Sequence, residues 1–228
     1  MPALAVSIIV PTLNEAAGIE GFLRHLAERC PGWEIVVADG GSEDGTAPLA
    51  APLARVIIAP RGRARQMNAG AAVAGGEAFW FLHANSRLPP EAPAALTAAL
   101  EVPEVAGGCF RLRLPRRGLA YRIADDLGNL GVDVFGFALG DHGIFARRSA
   151  FEAAGRFSDL PLMEDAEFYR ALRKQGRAPQ LRPRIETSPR RWEARGPGRT
   201  TGVYLLLLAG YCLGVSPPRL AGWHRRLL

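Results

Sequence analysis

Val6-Ser-Ile-Ile-Val-Pro-Thr-Leu-Asn-Glu15, then Glu34-Ile-Val-Val-Ala-Asp-Gly-Gly-Ser-Glu-Asp-Gly-Thr46, then Phe79-Trp-Phe-Leu-His-Ala-Asn85 set the fold class of this chain. Each begins as an apolar run and ends in a polar tip that favours a turn. Ser7–Val10, Ile35–Val37 and Phe79–Leu82 lack the polar alternation of a half-exposed sheet and suit parallel strands covered on both faces. Polar groups at the carboxyl ends of such strands line a ligand crevice. An acidic pair, Glu164-Asp165, follows far downstream.

Working outward, helical and strand periods alternate. The spacing of Ile19, Phe22, Leu23 and Leu26 predicts a helix over Ala16–Glu28, with Asn14 as its cap and Glu15 in its first turn. Strands are expected at Trp33–Ala38, Val56–Ala59 and Ala78–Leu82, and helices at Ala47–Leu53, Arg63–Ala74 and Pro90–Leu100. This rhythm gives a doubly wound α/β sheet. The second half is less regular: a strand at Ala106–Leu114, a helix at Leu119–Leu130, a short strand at Gly143–Ala146, and helices at Ser149–Ala154 and Asp165–Gln175.

Composition bounds the class. A chain of 228 residues, 48% hydrophobic, can bury one sizeable core, read as a domain over residues 1–200 with an apolar and basic tail over 201–228. The first strand starts so early that no signal peptide is expected before it. Cys30, Cys109 and Cys212 have unrelated spacings, which argues against a disulfide framework or a zinc site and fits a reducing cytoplasm. The formal charge is +6, and Lys174 is the lone lysine among 28 basic residues. Guanidinium groups suit phosphate, so anionic small molecules or membrane surfaces are natural partners. No nucleic-acid motif is present.

These motifs resemble the family 2 glycosyltransferases of the GT-A fold, inverting enzymes with nucleoside-diphosphate-sugar donors. Arg61-Gly-Arg-Ala-Arg-Gln-Met-Asn-Ala-Gly70, Gly140-Asp-His-Gly-Ile-Phe145 and Arg190-Arg-Trp192 are similar to a bacterial subgroup associated with arsenosugar biosynthesis. The likeness covers roughly residues 5–195. It implies a hexosyl-type transferase acting on an acceptor hydroxyl.

The residues carry that reading as follows. Pro11, Thr12 and Glu15 end the first strand where a ribose or base would lie, although Asn14 and Glu15 also read as ordinary helix capping. Asp39 and Gly40 open a glycine loop suited to a base N–H or ribose hydroxyl, the bland alternative being a β-turn. Many relatives carry a second aspartate where this chain has Gly40. Arg61, Arg63 and Arg65 crowd a helix amino terminus that prefers anions, which a diphosphate would satisfy. The resemblance favours Arg65, with Asn68 beside it; solvated surface arginines are the alternative.

His83-Ala84-Asn85 stands where the family has an acidic metal signature that holds Mg²⁺ or Mn²⁺ against the donor phosphates. Relatives in the subgroup usually carry aspartate at the third place. The neutral Asn85 should therefore hold metal weakly or only together with the donor, or the transferase works without metal and relies on Arg65 and His83. A nucleotide-sugar-binding protein with little or no turnover is the alternative function. Asp141 and His142 form a polar loop suited to the donor sugar or acceptor, with His142 a possible extra metal ligand, or else a simple turn. Glu164 and Asp165 match the family's catalytic position, Asp165 as the base and Glu164 as its neighbour; helix amino-terminal acidity is the plain alternative.

Arg191 and Trp192 resemble a shortened diphosphate or acceptor motif, or Trp192 is a core anchor. The apolar run Val203–Val215 is too short for a bilayer of ~30 Å, which takes ~20 residues. Three roles stay open for it: a helix packed on the domain, an interfacial helix at the inner membrane face that would suit a lipid-linked acceptor, or a homodimer contact.

Overall fold

The computed structural model describes residues 4–227, apart from the side chain of Arg191. Eight strands form one curled sheet in the order β3-β2-β1-β4-β7-β6-β8-β5. Strands β1 (Val6–Thr12), β2 (Glu34–Asp39), β3 (Arg55–Ile58) and β4 (Ala78–Phe81) are mutually parallel. Strand β7 (Phe145–Arg147) pairs antiparallel with both β4 and β6 (Gly107–Arg113). Beyond it β8 (Gln180–Thr187) runs parallel to β6, and the two-residue β5 (Ser86–Arg87) closes the edge. This mixed α/β architecture carries the doubly covered parallel strands that the apolar runs imply.

The runs are apolar at successive positions because the sheet is covered twice. Ile8, Val10 and Trp80 join one core cluster with Ile19, Leu23 and Leu26 of helix α1 (Ile19–Arg29). Ile9, Phe79 and Phe81 point the other way, into a cluster with Met67 of α3 (Arg63–Val73) and Phe168 of α7 (Glu164–Leu172). Helix α2 (Thr46–Ala50) links β2 to β3, α4 (Ala92–Glu101) follows β5, and α6 (Arg148–Ala153) follows β7.

Several local expectations need correction. Helix α1 starts at Ile19 with Gly18 before it, so Asn14 is not its cap. Asn14 instead adopts φ 56°, and its side chain bonds to the second loop. Strand β8 went unforeseen because Gln180-Leu-Arg-Pro-Arg-Ile-Glu-Thr187 is charged and contains a proline. The β6–β8 register shifts between Leu181 and Arg184, so Pro183 sits at the irregularity, where proline is tolerated.

Helix α5 (Leu119–Leu130) has the expected bounds and runs on into a π-helical turn, Gly131–Phe135. The tail forms α8 (Arg190–Arg195), α9 (Pro197–Cys212) and α10 (Pro217–Leu227). Val203, Leu207 and Tyr211 pack with Phe137, Met163, Ala166 and Leu220, so one face of α9 is part of the domain.

Candidate active site

The site grows from the carboxyl ends of the parallel strands. Thr12 and Asp39 are register partners at the ends of β1 and β2, and the Thr12 hydroxyl donates to Asp39 Oδ1 at 3.0 Å. Asp39 also accepts from the backbone amides of Gly41 and Ser42 at 3.1 and 2.8 Å and from the Ser42 hydroxyl at 2.5 Å. Its buried carboxylate thus organises the loop from beneath.

Four further bonds join this loop to the first. The amides of Asn14, Glu15 and Ala16 donate to Ser42 Oγ, Thr46 Oγ1 and Asp44 Oδ2 at 2.8, 2.8 and 2.9 Å, and the Glu43 amide donates to Asn14 Oδ1 at 3.0 Å. Burial raises the Glu15 carboxyl above the ordinary range, with Arg190 opposing that shift.

Gln66 is the residue that sequence reasoning passed over. From α3 its amide nitrogen donates to the carbonyls of Thr12 and Ala38 at 2.7 and 2.8 Å, tying both strand ends together. A Cβ at Gly40 would lie 3.1 Å from the Gln66 amide. A side chain at position 40 would therefore press on Gln66.

The predicted arginine and asparagine contacts are redistributed. Arg65 is exposed and pairs with Asp159, its Nε 2.8 Å from Oδ2. Asn68 spends its amide on the backbone of Phe157, at 2.8 Å to the carbonyl and 3.1 Å from the N–H. Arg63 instead lines the cleft, together with Pro11, Thr12, Glu15, Ala84 and Asn85, and with His83 it borders three cavities of about 340, 230 and 330 Å³. Its Nε lies 2.6 Å from Glu164 Oε1. Burial works against the charge on Arg63, but the carboxylates of Asp165 and Glu164 outweigh it and hold the guanidinium charged.

His83 follows β4, and the Gly140–His142 turn precedes the antiparallel β7, so both arrive at the same end of the sheet. His83 Nδ1 lies 3.2 Å from Asp141 Oδ1, which also accepts from the Thr187 hydroxyl at 3.1 Å. Burial alone would lower the His83 pKa; the hydrogen bond and charge of Asp141 reverse that, and its pKa is raised. Burial likewise disfavours the Asp141 carboxylate, yet the His83 partnership holds it well below the usual range.

Asp165 and Glu164 occupy the first turn of α7, where the helix dipole favours carboxylates. The Gly140 amide donates to Asp165 Oδ2 at 3.0 Å. Asp165 Oδ1 and His83 Nε2 are buried without a hydrogen-bond partner among the described residues. A Cβ at Gly140 would sit 2.5 Å from His83 Nε2 and 2.7 Å from Asp165 Oδ2, so only glycine leaves space between them. Both residues wall a cavity of about 340 Å³ that Leu162, Leu207 and Leu208 complete on its apolar side. Glu164 is raised to about 7 by burial and by the neighbouring Asp165 charge, with Arg63 opposing.

His142 does not face this space. It is 1% exposed, and the Leu139 amide donates to its Nδ1 at 3.3 Å. Burial lowers its pKa. Asn85, by contrast, lines the cleft. Among the described residues no group of three or more His, Cys, Asp or Glu is placed to hold a metal ion. With Asn85 neutral and Asp141 already engaged by His83 and Thr187, the side chains present do not fit a divalent site made by protein alone.

Trp192 stacks on Tyr204 at 5.3 Å between ring centroids and donates to Thr201 Oγ1 at 3.2 Å, an anchor that also borders the cleft beside Arg190. Arg191 lies in α8, and its side chain is outside the described residues.

A strand-end cleft with two interlocked loops, a glycine-spaced acid at a helix start and this sheet order coincides with a match of residues 7–145 to the model "Glycosyl transferase family 2". The chain belongs to that family. The matched segment ends before Glu164 and Asp165. Solved structures share the fold of this family 2 chain. A mannosyltransferase from Pyrobaculum calidifontis, solved with GDP-Man and Mn²⁺, is 22% identical with a TM-score of 0.64, covering 98% of this chain and 70% of its own. Mannosyl-3-phosphoglycerate synthase from Rubrobacter xylanophilus is 22% identical with a TM-score of 0.58, covering 93% and 76%. S. aureus TarS 1–349, solved with UDP-GlcNAc, is 16% identical with a TM-score of 0.62, covering 81% of this chain. The chain spans 58% of that TarS structure's length.

Proposed function

We propose that this chain transfers a hexosyl group from a nucleoside-diphosphate sugar to an acceptor hydroxyl with inversion, Asp165 acting as general base. The observation that carries the reading is Asp165: the residue lines a cavity that shares Arg63 and His83 with the cleft, and its Oδ1 is buried without a hydrogen-bond partner among the described residues. A buried acceptor atom left open costs stability, and a substrate hydroxyl would satisfy it.

The Gly140 amide fixes Oδ2, so Oδ1 is the atom that takes the acceptor proton. The freed oxygen attacks the anomeric carbon as the bond to the donor phosphate breaks on the opposite side. The bonding electrons leave with the nucleoside diphosphate. Arg63, Arg61 and Arg190 on the cleft walls supply positive charge for that leaving group. His83, held toward its charged form by Asp141, adds to the same field.

The nucleoside lies over the interlocked loops at Pro11, Thr12 and Glu15, with Asp39 shaping them. Mg²⁺ or Mn²⁺ would arrive with the donor, whose phosphates supply the charge that Asn85 lacks. The open base oxygen favours turnover over the binding-only alternative. The likeness to the arsenosugar subgroup rests on its three motifs and leaves the acceptor defined by chemistry alone. Three free cysteines suit a cytoplasmic location.

Nucleoside diphosphate release across a panel of UDP-, GDP- and dTDP-sugars, with and without divalent ion and with hydroxyl acceptors, tests the reading. Acceptor-dependent release from one donor class is the expected result; binding without release in every combination would overturn it.

A further inference from the structure

Helix α5 carries the largest unburied apolar feature among the described residues. Leu119, Ile123, Leu127 and Leu130 recur three or four residues apart, and Val134 continues the row into the π-helical turn. All five are 36–73% exposed. The opposite face is the packed one: Tyr121 is buried against Leu114 and Trp192, Asn129 bonds to the β6 backbone at Leu112, and Asp125 accepts from the Leu114 amide just past β6. The apolar row therefore lies outside the core, which a helix stabilised by burying its hydrophobic face would not leave open to water.

The amino end of the row meets the tail. Arg116 pairs with Glu193 of α8 at 2.6 Å, and the Thr201 hydroxyl of α9 donates to the Ala120 carbonyl at 3.2 Å. Arg199 donates to the Leu227 carbonyl at 3.0 Å, which brings the basic end of α10 to the same neighbourhood. Residues 190–228 hold seven arginines against one acidic residue, Glu193, an excess equal to the formal +6 of the whole chain. Beside the row itself stand Arg122, Asp126 and Asp133. Leu206 of α9 and Leu213, just past its end, are exposed as well.

We infer that α5, together with the exposed Arg195, Arg199, Arg219, Arg225 and Arg226 of α8–α10, docks the protein on the surface of an anionic lipid bilayer. The apolar row enters the headgroup boundary while the guanidiniums meet lipid phosphates. Charge selects this occupant: two aspartates beside the row of a second copy could not balance the tail, whereas an anionic leaflet presents phosphates in excess. No helix among the described residues is long and apolar enough to cross a membrane, so the contact is peripheral. The tail's own apolar run is largely committed elsewhere, to the core through Val203 and to the acceptor cavity through Leu207 and Leu208. The helix that packs beside the row thus also walls that cavity, which suits an acceptor whose hydroxyl is joined to a lipid. That last point rests on the glycosyl-transfer reading; the docking does not.

Flotation of the full chain with vesicles of phosphatidylcholine alone, and of phosphatidylcholine with phosphatidylglycerol, tests the inference without requiring turnover. Binding is expected with the anionic vesicles only, weakening as salt rises, and lost in Ile123→Asp/Leu127→Asp with circular dichroism and melting unchanged. Should that double variant fail to fold, Leu119→Gln, at the most exposed position of the row, must still weaken binding. Three results overturn it: wild type that ignores anionic vesicles at low salt, variants that bind as wild type does, or a dimer in sedimentation equilibrium that the double variant dissociates.

Discussion

Arg63 Nε stands 2.6 Å from Glu164 Oε1, so the first turn of α3 and the first turn of α7 are joined across the cleft by one ion pair. On the proposed reading, a donor diphosphate would compete with Glu164 for that guanidinium. Arg65, two residues on, is committed to Asp159 at the surface.

Arg63→Ala is accordingly expected to weaken donor binding by about 10- to 100-fold, the value of one charge-assisted hydrogen bond to phosphate. Arg65→Ala, which removes only an exposed pair, should stay within about 3-fold. Calorimetric titration of the two variants with the preferred donor or its nucleoside diphosphate distinguishes them. The reverse ranking would return the diphosphate to Arg65.

Glu164 makes stability depend on pH in a defined direction. Its folded carboxyl, raised to about 7 from an ordinary value of 4.5, holds its proton more tightly than the unfolded chain does. That contribution is fully present below 4.5 and is lost as pH rises through about 7. Urea midpoints measured across this window should fall less in Glu164→Gln than in wild type. Parallel curves would show that Glu164 ionises normally.

Asp165→Asn keeps the side-chain volume and removes the proton acceptor. Transfer should drop by about 10²–10⁴ while donor affinity is retained. Single-turnover rates alongside nucleotide titration provide the check, and near-normal transfer would remove Asp165 from the mechanism.

Gly140→Ala places a methyl between His83 and Asp165, where the contacts would be 2.5 and 2.7 Å. One of the two must move, and a displacement of ~1 Å at a reacting group costs about 10²-fold. A fall in kcat larger than the rise in KM is expected, and unchanged kinetics would mean that the two side chains need not stay adjacent.

Asn85→Asp restores a charged oxygen at the cleft wall. Mn²⁺ should then bind the free protein more tightly, and turnover at low metal should rise, because a hard cation prefers a carboxylate to a neutral amide. Equal metal affinity in titration calorimetry would place residue 85 outside any coordination sphere.

The parallel half of the sheet was legible because its signals are local. Ile8, Ile9 and Val10 read as a doubly covered strand, and the tips at Pro11, Asp39 and His83 end where such strands end. The roles of neighbours within one turn were not legible. Arg63 and Arg65 have the same chemistry two residues apart, and only the direction of α3 sends one into the cleft and the other to Asp159. Asn68 and Gln66 are both amides on that helix; tertiary contacts give the first to Phe157 and the second to the strand ends. The amphipathic row of α5 has the spacing of a core-facing stripe, and only the fold reveals that it faces outward.

The cross-bonds between the Asn14–Ala16 and Ser42–Thr46 segments also bear on how the protein spends entropy. Loops of this length normally exchange their amide hydrogens freely, yet here the N–H groups of Asn14, Glu15, Ala16, Glu43 and Thr46 all have side-chain acceptors. Their order is purchased during folding, so a nucleotide would meet a template already set and lose little affinity to loop freezing. Discrimination between bases would then behave as a property of a rigid mould: insensitive to temperature-driven loosening, and altered by reshaping Ser42 or Thr46 more than by changing the length of either loop.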